Sequence, residues 1–441
     1  MRVHRAFLIK NINHFKHQLL QWSLKEQHIV WLDSNDHDQK YADHSGLLAL
    51  GAEKLLQTSY HGAFEAFKGF YDEVNDWVLG YLSYDLKNDI EALHSNNQDS
   101  LHFPELYFIQ PKKLFLIKGN RLNISYLEDY ADQILDDFEE IRNTVISQNN
   151  QPTDDVKIKL RIHKDAYFEK VQSMLDHIKR GDIYEANFCQ EFYAEDTVIR
   201  PYDTFKRLNT ISRAPFSSFI KLEHQYVISA SPERFLKKNG PKVISQPIKG
   251  TAGRAANSEV DLRLKKSLES DPKERSENIM IVDLVRNDLS KIAVKGSVNV
   301  EELCKVYTFE QVHQMISTVS AKVIDNTHPV DIIRAMFPMG SMTGAPKISA
   351  MKIIEELEES KRGVYSGAIG YITPNGDFDF NVVIRSILYN QAKKYLSYSV
   401  GGAITAKSDP IKEYEECLIK AKAMRSVLED PMIGNATQDG A

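Results

Sequence analysis

From residue 156 to about 428 the chain mixes short β-patterned runs with helical ones in no fixed order, and this mixture limits the fold more than any other feature. The runs YVISASP, VISQPIKG, VYSGAIGYI, DFNVVIRSILY and YLSYSVGGAIT are rich in β-branched and aromatic residues and read as strands. Helices are expected near 165–180, 272–286, 346–359 and 410–428. Neither a strict strand–helix alternation nor an all-β pattern results, so the expectation is an α+β body built on large sheets. Ahead of it, KKLFLIKG and RLNISYL alternate apolar with polar residues, and a helical run covers Leu127 to Val145. Between the two parts lies the polar stretch SQNNQPTDD, residues 147–155, which reads as a linker. The expected division is therefore a β-rich N-terminal domain, 1–148, and a catalytic domain, 149–435, with a frayed tail at 436–441.

Of the 441 residues, 42% are hydrophobic and 26% charged, enough apolar material for a large core. The net charge of −6 gives no basic excess, so nucleic acid is not an expected partner. The N-terminus MRVHRAFLIKNINHF has no long apolar run and no small-residue cleavage site. No window approaches the roughly 20 apolar residues of a membrane helix, so no membrane partner is expected either. The three cysteines, Cys189, Cys304 and Cys417, have no CxxC spacing, which argues against a zinc site or a disulfide framework and for a cytoplasmic location.

Two segments repeat one design. Glu274 and Glu277 follow Asp271-Pro272, and Glu413 and Glu416 follow Asp409-Pro410. Asp suits a helix N-cap and Pro the first helical position. Carboxylates three apart share a helix face, where they also simply complement the macrodipole. Glu413 and Glu416 point away from the stripe of Ile411, Tyr414, Leu418 and Ala421, so for that pair a solvated role is expected. Glu277 instead heads IMIVDLV, apolar almost all round, and a carboxylate there needs a cation partner. A metal such as Mg²⁺ and a buried ion pair serve equally.

Lys249, in SQPIKGTAGR, ends a strand and becomes nucleophilic only when its pKa is lowered from about 10.4; most strand-end lysines are merely solvated. GSMTGAPK, 340–347, is a Gly-rich loop meeting a helix, either an anion site or an ordinary cap. It lacks P-loop spacing, so a nucleotide is not expected. Arg385 interrupts an apolar strand and needs an anionic partner, from the protein or from a substrate. Tyr365 lies in GVYSGAIGY, and His313 taken alone is more often a satisfied core histidine than a catalyst.

Taken in order, GDIYEANFCQEF, SASPERFL, PIKGTAGR, ERSENIMIVDLVRNDL, FPMGSMTGAPKISA, GVYSGAIGYI, DFNVVIRSI and GGAITAKSDPIKEYEEC resemble the chorismate-utilising enzymes. That family includes anthranilate synthase component I, aminodeoxychorismate synthase component I and the isochorismate and salicylate synthases. The resemblance implies two sheets packed face to face and flanked by helices. It implies that Glu277 and Glu416 ligate Mg²⁺, helped by Glu274 and Glu413, to hold the ring carboxylate of chorismate. It places Tyr365 and Arg385 on the enolpyruvyl carboxylate, and His313 near the ring. Thr251, Ser341 and the backbone of Gly402 and Ala403 complete the substrate cradle. Ser34 of WLDS and Pro215 of APFSSF match a tryptophan pocket.

One residue selects the branch. Anthranilate synthases resemble this chain but read PIAGT, whereas PIKGT resembles the aminodeoxychorismate synthases. The resemblance implies that Lys249 attacks ring C2 and expels the C4 hydroxyl, that Glu233 protonates that hydroxyl, and that ammonia then attacks C4. The water-activating lysine of isochorismate and salicylate synthases falls at Glu185, often Gln in aminodeoxychorismate synthases. No glutaminase sequence is visible, so ammonia is expected from a separate glutaminase subunit or from solution. The alternatives are anthranilate synthase component I and a non-catalytic homologue.

Overall fold

The computed structural model describes residues 1–37, 40–146, 156–310 and 312–429. The expected linker and tail lie outside the described residues. Among the described residues twenty strands join into one continuous hydrogen-bonded sheet with antiparallel neighbours. The sheet has two arms that meet at the long strand Leu106–Lys118.

One arm runs from that strand through Gly46–Thr58, His28–Asp33, Phe216–Leu222, Gln225–Ser231, Ser386–Asn390 and Tyr395–Thr405 to Glu185–Ala194. The other runs through Val78–Leu82, Ala368–Ile372, Phe378–Val382, Arg234–Asn239 and Lys242–Gln246 to Val312–Lys322, which also pairs with Ile248–Gly253 and Asn299–Thr308. Strands from before residue 148 thus bond to strands from after it, as His28–Asp33 does with Phe216–Leu222.

Strand alternation sorts the core into two layers. Val30 and Val227 of one arm share an apolar cluster with Leu79 and Phe380 of the other, so the arms pack face to face. Ile29 and Trp31, flanking Val30, point to the opposite face and join a second cluster. There the helices Lys164–Arg180, Pro201–Ser212 and Pro410–Glu429 cover the first arm. The α+β class, the face-to-face layers and the flanking helices are as expected. Among the described residues no helix is long and apolar enough to cross a membrane. The three cysteines are free and buried.

The run DFNVVIRSILY is not one strand. It forms Phe378–Val382 and Ser386–Asn390, and Arg385 between them takes the left-handed φ of 54°. The break turns the arginine out of the pleat.

Candidate active site

The strand Ile248–Gly253 passes against the start of the helix Pro272–Ser290. Gly250 makes that approach, with a left-handed φ of +93° and little space beside it: a Cβ there would lie 3.1 Å from Oε2 of Glu274. From the same helix, Asn278 Nδ2 donates to the carbonyl oxygens of Met315, at 3.3 Å, and Lys249, at 3.5 Å. Nζ of Lys249 lies 3.4 Å from Oε1 of Glu185, with side-chain exposures of 13% and 1%. Activation of Lys249 calls for a lowered pKa, and the structure sets the opposite balance. Burial pulls it down, but the carboxylates of Glu185, Glu277 and Glu233 outweigh burial and hold the group above the ordinary lysine value. Lys249 rests as an ammonium.

Glu233 is buried beside the strand Gln225–Ser231 and accepts a 2.6 Å hydrogen bond from the Ser341 hydroxyl. Burial raises its pKa to about 7, against the opposing pull of Ser341 and Lys249. A cavity of about 10 Å³ beside it is lined by Ser341, Met339 and Asp288. Glu233 can therefore hold a proton near neutrality, as a general acid must.

Asp271 and Asp409 cap their helices: the first accepts the N–H groups of Lys273 and Glu274, the second those of Ile411 and Lys412. The solvated role expected for the pair fails for Glu413, which is buried, whereas the Glu416 side chain is 46% exposed. Ile411 and Leu418 are the exposed residues, while Glu413, Cys417 and Ala421 are buried. The last helix lies on the sheet through a face rotated away from its first-turn apolar stripe. A Cβ on Gly402 would sit 3.3 Å from Glu413 Oε2 and 3.9 Å from Glu416 Oε1, so that pair overhangs the strand Tyr395–Thr405. Glu277 is 9% exposed and its Oε1 has no hydrogen-bond partner among the described residues. Burial raises its pKa to about 7.

All four glutamates act on one cation. Their charges together raise the pKa of Lys273 against its burial. Its Nζ is 3.8 Å from Glu277, and Lys420 pairs with Glu416 at 2.7 Å. Among the described residues no three His, Cys, Asp or Glu side chains are already close enough to hold a metal. The orphaned oxygen of Glu277 and an all-carboxylate donor set nonetheless fit a hard divalent ion such as Mg²⁺.

Arg385 has no carboxylate within ion-pair distance among the described residues; burial lowers its pKa, and Tyr365 and Glu416 are the charges that oppose this. Tyr365 is buried, its hydroxyl 3.7 Å from Cys189 Sγ. Thr251 is exposed and Ala403 partly so. Both ring nitrogens of His313 are engaged, Nε2 with Asp261 and Nδ1 with Thr308, each at 3.0 Å.

The GSMTGAPK loop is pinned on two sides. Gly344 and Ala345 pair with Ala186 and Glu185, and a Cβ on Gly344 would come within 2.2 Å of the Glu185 carbonyl oxygen. Arg362 donates to the carbonyls of Met342 and Asn187 and to both oxygens of Glu358. Sequence reasoning missed Lys273, Asn278, Arg362 and the Glu185–Lys249 pair. Lys273 could have been found, since it stands between Pro272 and Glu274 in a helix otherwise read as metal-binding.

Elsewhere, Ser34 and Pro215 line a common cavity of about 70 Å³ with His44, Arg234, Tyr371 and Asp379. Trp31 lies in the opposite layer of the strand and does not enter it.

A family model described as chorismate binding enzyme matches residues 18–426. The chain belongs to this family. It is 42% identical over 280 residues to the aminodeoxychorismate synthase of Streptomyces griseus, a match covering 63% of this chain and 38% of that protein. It is 35% identical over 355 residues to aminodeoxychorismate synthase component 1 of Klebsiella aerogenes, covering 80% and 77%. Among solved structures, it resembles anthranilate synthase component I from Streptococcus pneumoniae TIGR4. The TM-score is 0.77 at 25% identity, covering 88% of this chain and 93% of that one.

Proposed function

We propose that the chain converts chorismate and ammonia to 4-amino-4-deoxychorismate, with Lys249 as covalent nucleophile and Glu233 as general acid. One observation carries the reading: a lysine at position 249, where PIAGT would have alanine, lies in the field of a buried carboxyl that keeps its proton near neutrality. Expelling the C4 hydroxyl needs that pairing of nucleophile with acid.

Arg385, with no carboxylate in ion-pair distance among the described residues, is suited to the enolpyruvyl carboxylate, with Tyr365 beside it. Thr251, Ser341, Gly402 and Ala403 border the substrate, and His313 sets the wall behind the ring. Glu274, Glu277, Glu413 and Glu416 would hold Mg²⁺, which supplies positive charge for the ring carboxylate when bound. The name component 1, carried by the Klebsiella relative, supports a separate glutaminase subunit as ammonia source. The three reduced, buried cysteines suit the cytoplasm. The cavity at Ser34 and Pro215 is read as a tryptophan pocket.

The test is turnover of chorismate by the purified chain with MgCl₂ and ammonium, with products identified by mass. 4-Amino-4-deoxychorismate is expected, and none from Lys249→Ala. Anthranilate and pyruvate would instead make the chain an anthranilate synthase, and no turnover would leave a binding homologue.

A further inference from the structure

Two buried ion pairs in this molecule are built differently. In the pair of Glu358 and Arg362, both carboxylate oxygens are used: Oε1 accepts from Arg362 and from the Cys189 N–H, and Oε2 accepts from Arg362. The spare guanidinium protons go to two carbonyls. This is how a structural pair offsets the cost of burying charge. In the pair of Glu185 and Lys249, Oε1 faces the ammonium at 3.4 Å, longer than the roughly 2.7–2.9 Å of a charge-assisted hydrogen bond. Oε2 is buried and has no hydrogen-bond partner among the described residues.

The backbone of Glu185 cannot drift to improve this. It is paired with Ala345 on one side and Thr405 on the other, and Tyr184 N–H donates to the Ala345 carbonyl at 2.7 Å. The carboxylate thus hangs from a fixed backbone, desolvated and with spare accepting capacity, beside the nitrogen that must attack.

We propose that Glu185 is the catalytic base that takes the proton from Lys249 and later returns it. The proposal rests on the reading of Lys249 as nucleophile. Among the described residues Glu185 is the carboxylate within ion-pair distance of Lys249, and Glu277, Glu233, Glu274 and Glu416 act on it from further off. Glu233 must keep its own proton for the leaving hydroxyl, and Glu274, Glu277 and Glu416 belong to the candidate metal site, which leaves Glu185.

The cycle balances. Lys249 ammonium and Glu185 carboxylate become amine and carboxylic acid. The amine attacks C2, both conjugated ring double bonds shift, and the C4 hydroxyl departs as water with the proton of Glu233, leaving a secondary ammonium at C2. Ammonia attacks C4 and expels the Lys249 amine. The new C4 ammonium gives a proton back to Glu233, and Glu185 returns its proton to Lys249. A glutamine at 185 could accept nothing, and the proton would have to leave through water.

The experiment follows the covalent adduct by intact mass, with chorismate and MgCl₂ but no ammonia. In Glu185→Gln the adduct should form on the order of a hundredfold more slowly than in wild type, and its rate should climb with pH as hydroxide replaces the lost base. Formate should restore part of the rate in Glu185→Ala, which a structural role would not allow. Adduct formation by Glu185→Gln at the wild-type rate overturns the proposal. So does a slow Glu185→Gln whose rate ignores pH while formate rescues nothing. If wild type itself forms no adduct, the Lys249 reading fails first and this proposal falls with it.

Discussion

The Ser341 hydroxyl donates a 2.6 Å hydrogen bond to Oε1 of Glu233, so the loop after the helix Pro329–Met336 and the acid after the strand Gln225–Ser231 hold one another. The bond favours the ionised carboxyl, yet burial prevails and sets the pKa at about 7. Glu233 is thus positioned by a partner that does not take away its proton.

The sign of the resulting pH effect is fixed. A carboxyl whose folded pKa exceeds its unfolded value of 4.5 adds stability at low pH, and this is lost as pH rises through about 7. Wild type should therefore lose stability between about pH 4.5 and 7 relative to Glu233→Gln, by up to about 3 kcal/mol. Denaturant unfolding of both proteins at pH 5 and pH 8 measures it. kcat/KM for wild type should also fall above about pH 7, where the acid is spent.

Glu277→Gln removes one of the crowded carboxylates. The metal-free variant should unfold at the same temperature as wild type or higher, because a raised carboxyl pKa marks a charge the fold resists. The gain in melting temperature that MgCl₂ gives wild type should disappear in the variant. A full Mg²⁺ shift in Glu277→Gln would remove Glu277 from the ligand set.

Arg385→Lys distinguishes a substrate clamp from a structural arginine. A lysine cannot grip a carboxylate with two parallel hydrogen bonds. Chorismate KM should rise about tenfold to a hundredfold, for the loss of about 1.5–3 kcal/mol of charged hydrogen bonding. Because the ring would also be mis-set, kcat should fall too. A lower melting temperature with unchanged KM would make Arg385 structural.

Arg362→Leu strands Glu358 in the core and frees the carbonyls of Met342 and Asn187. The cost should be about 3–5 kcal/mol, the price of a buried charge left alone. The double variant Arg362→Leu, Glu358→Leu should recover part of it, as urea unfolding would read out.

Much of this was legible in the sequence for local reasons. Asp-Pro pairs mark both carboxylate helices because capping and proline geometry act within a few residues. Other features depend on distant partners. Glu413 turns inward because Cys417, Ala421 and Met424 dock on the sheet, which outweighs the stripe of Ile411 and Leu418. The charge on Lys249 is set by Glu185, far off in the chain, and no spacing rule links them. Arg385 was marked as an anomaly by its apolar neighbours, but the break it makes in the strand follows from a left-handed φ that the residue type does not encode.

The strand Leu106–Lys118 has a wider consequence. Because it belongs to both arms, and His28–Asp33 is bordered by Gly46–Thr58 on one flank and Phe216–Leu222 on the other, the fabric has no seam along which the N-terminal third could be peeled away. Expressed apart, each piece would carry a raw edge of unpaired peptide groups, and such edges stick to one another. Mixed, the two pieces carry complementary edges, so co-expression is the condition under which a severed chain should regain its shape.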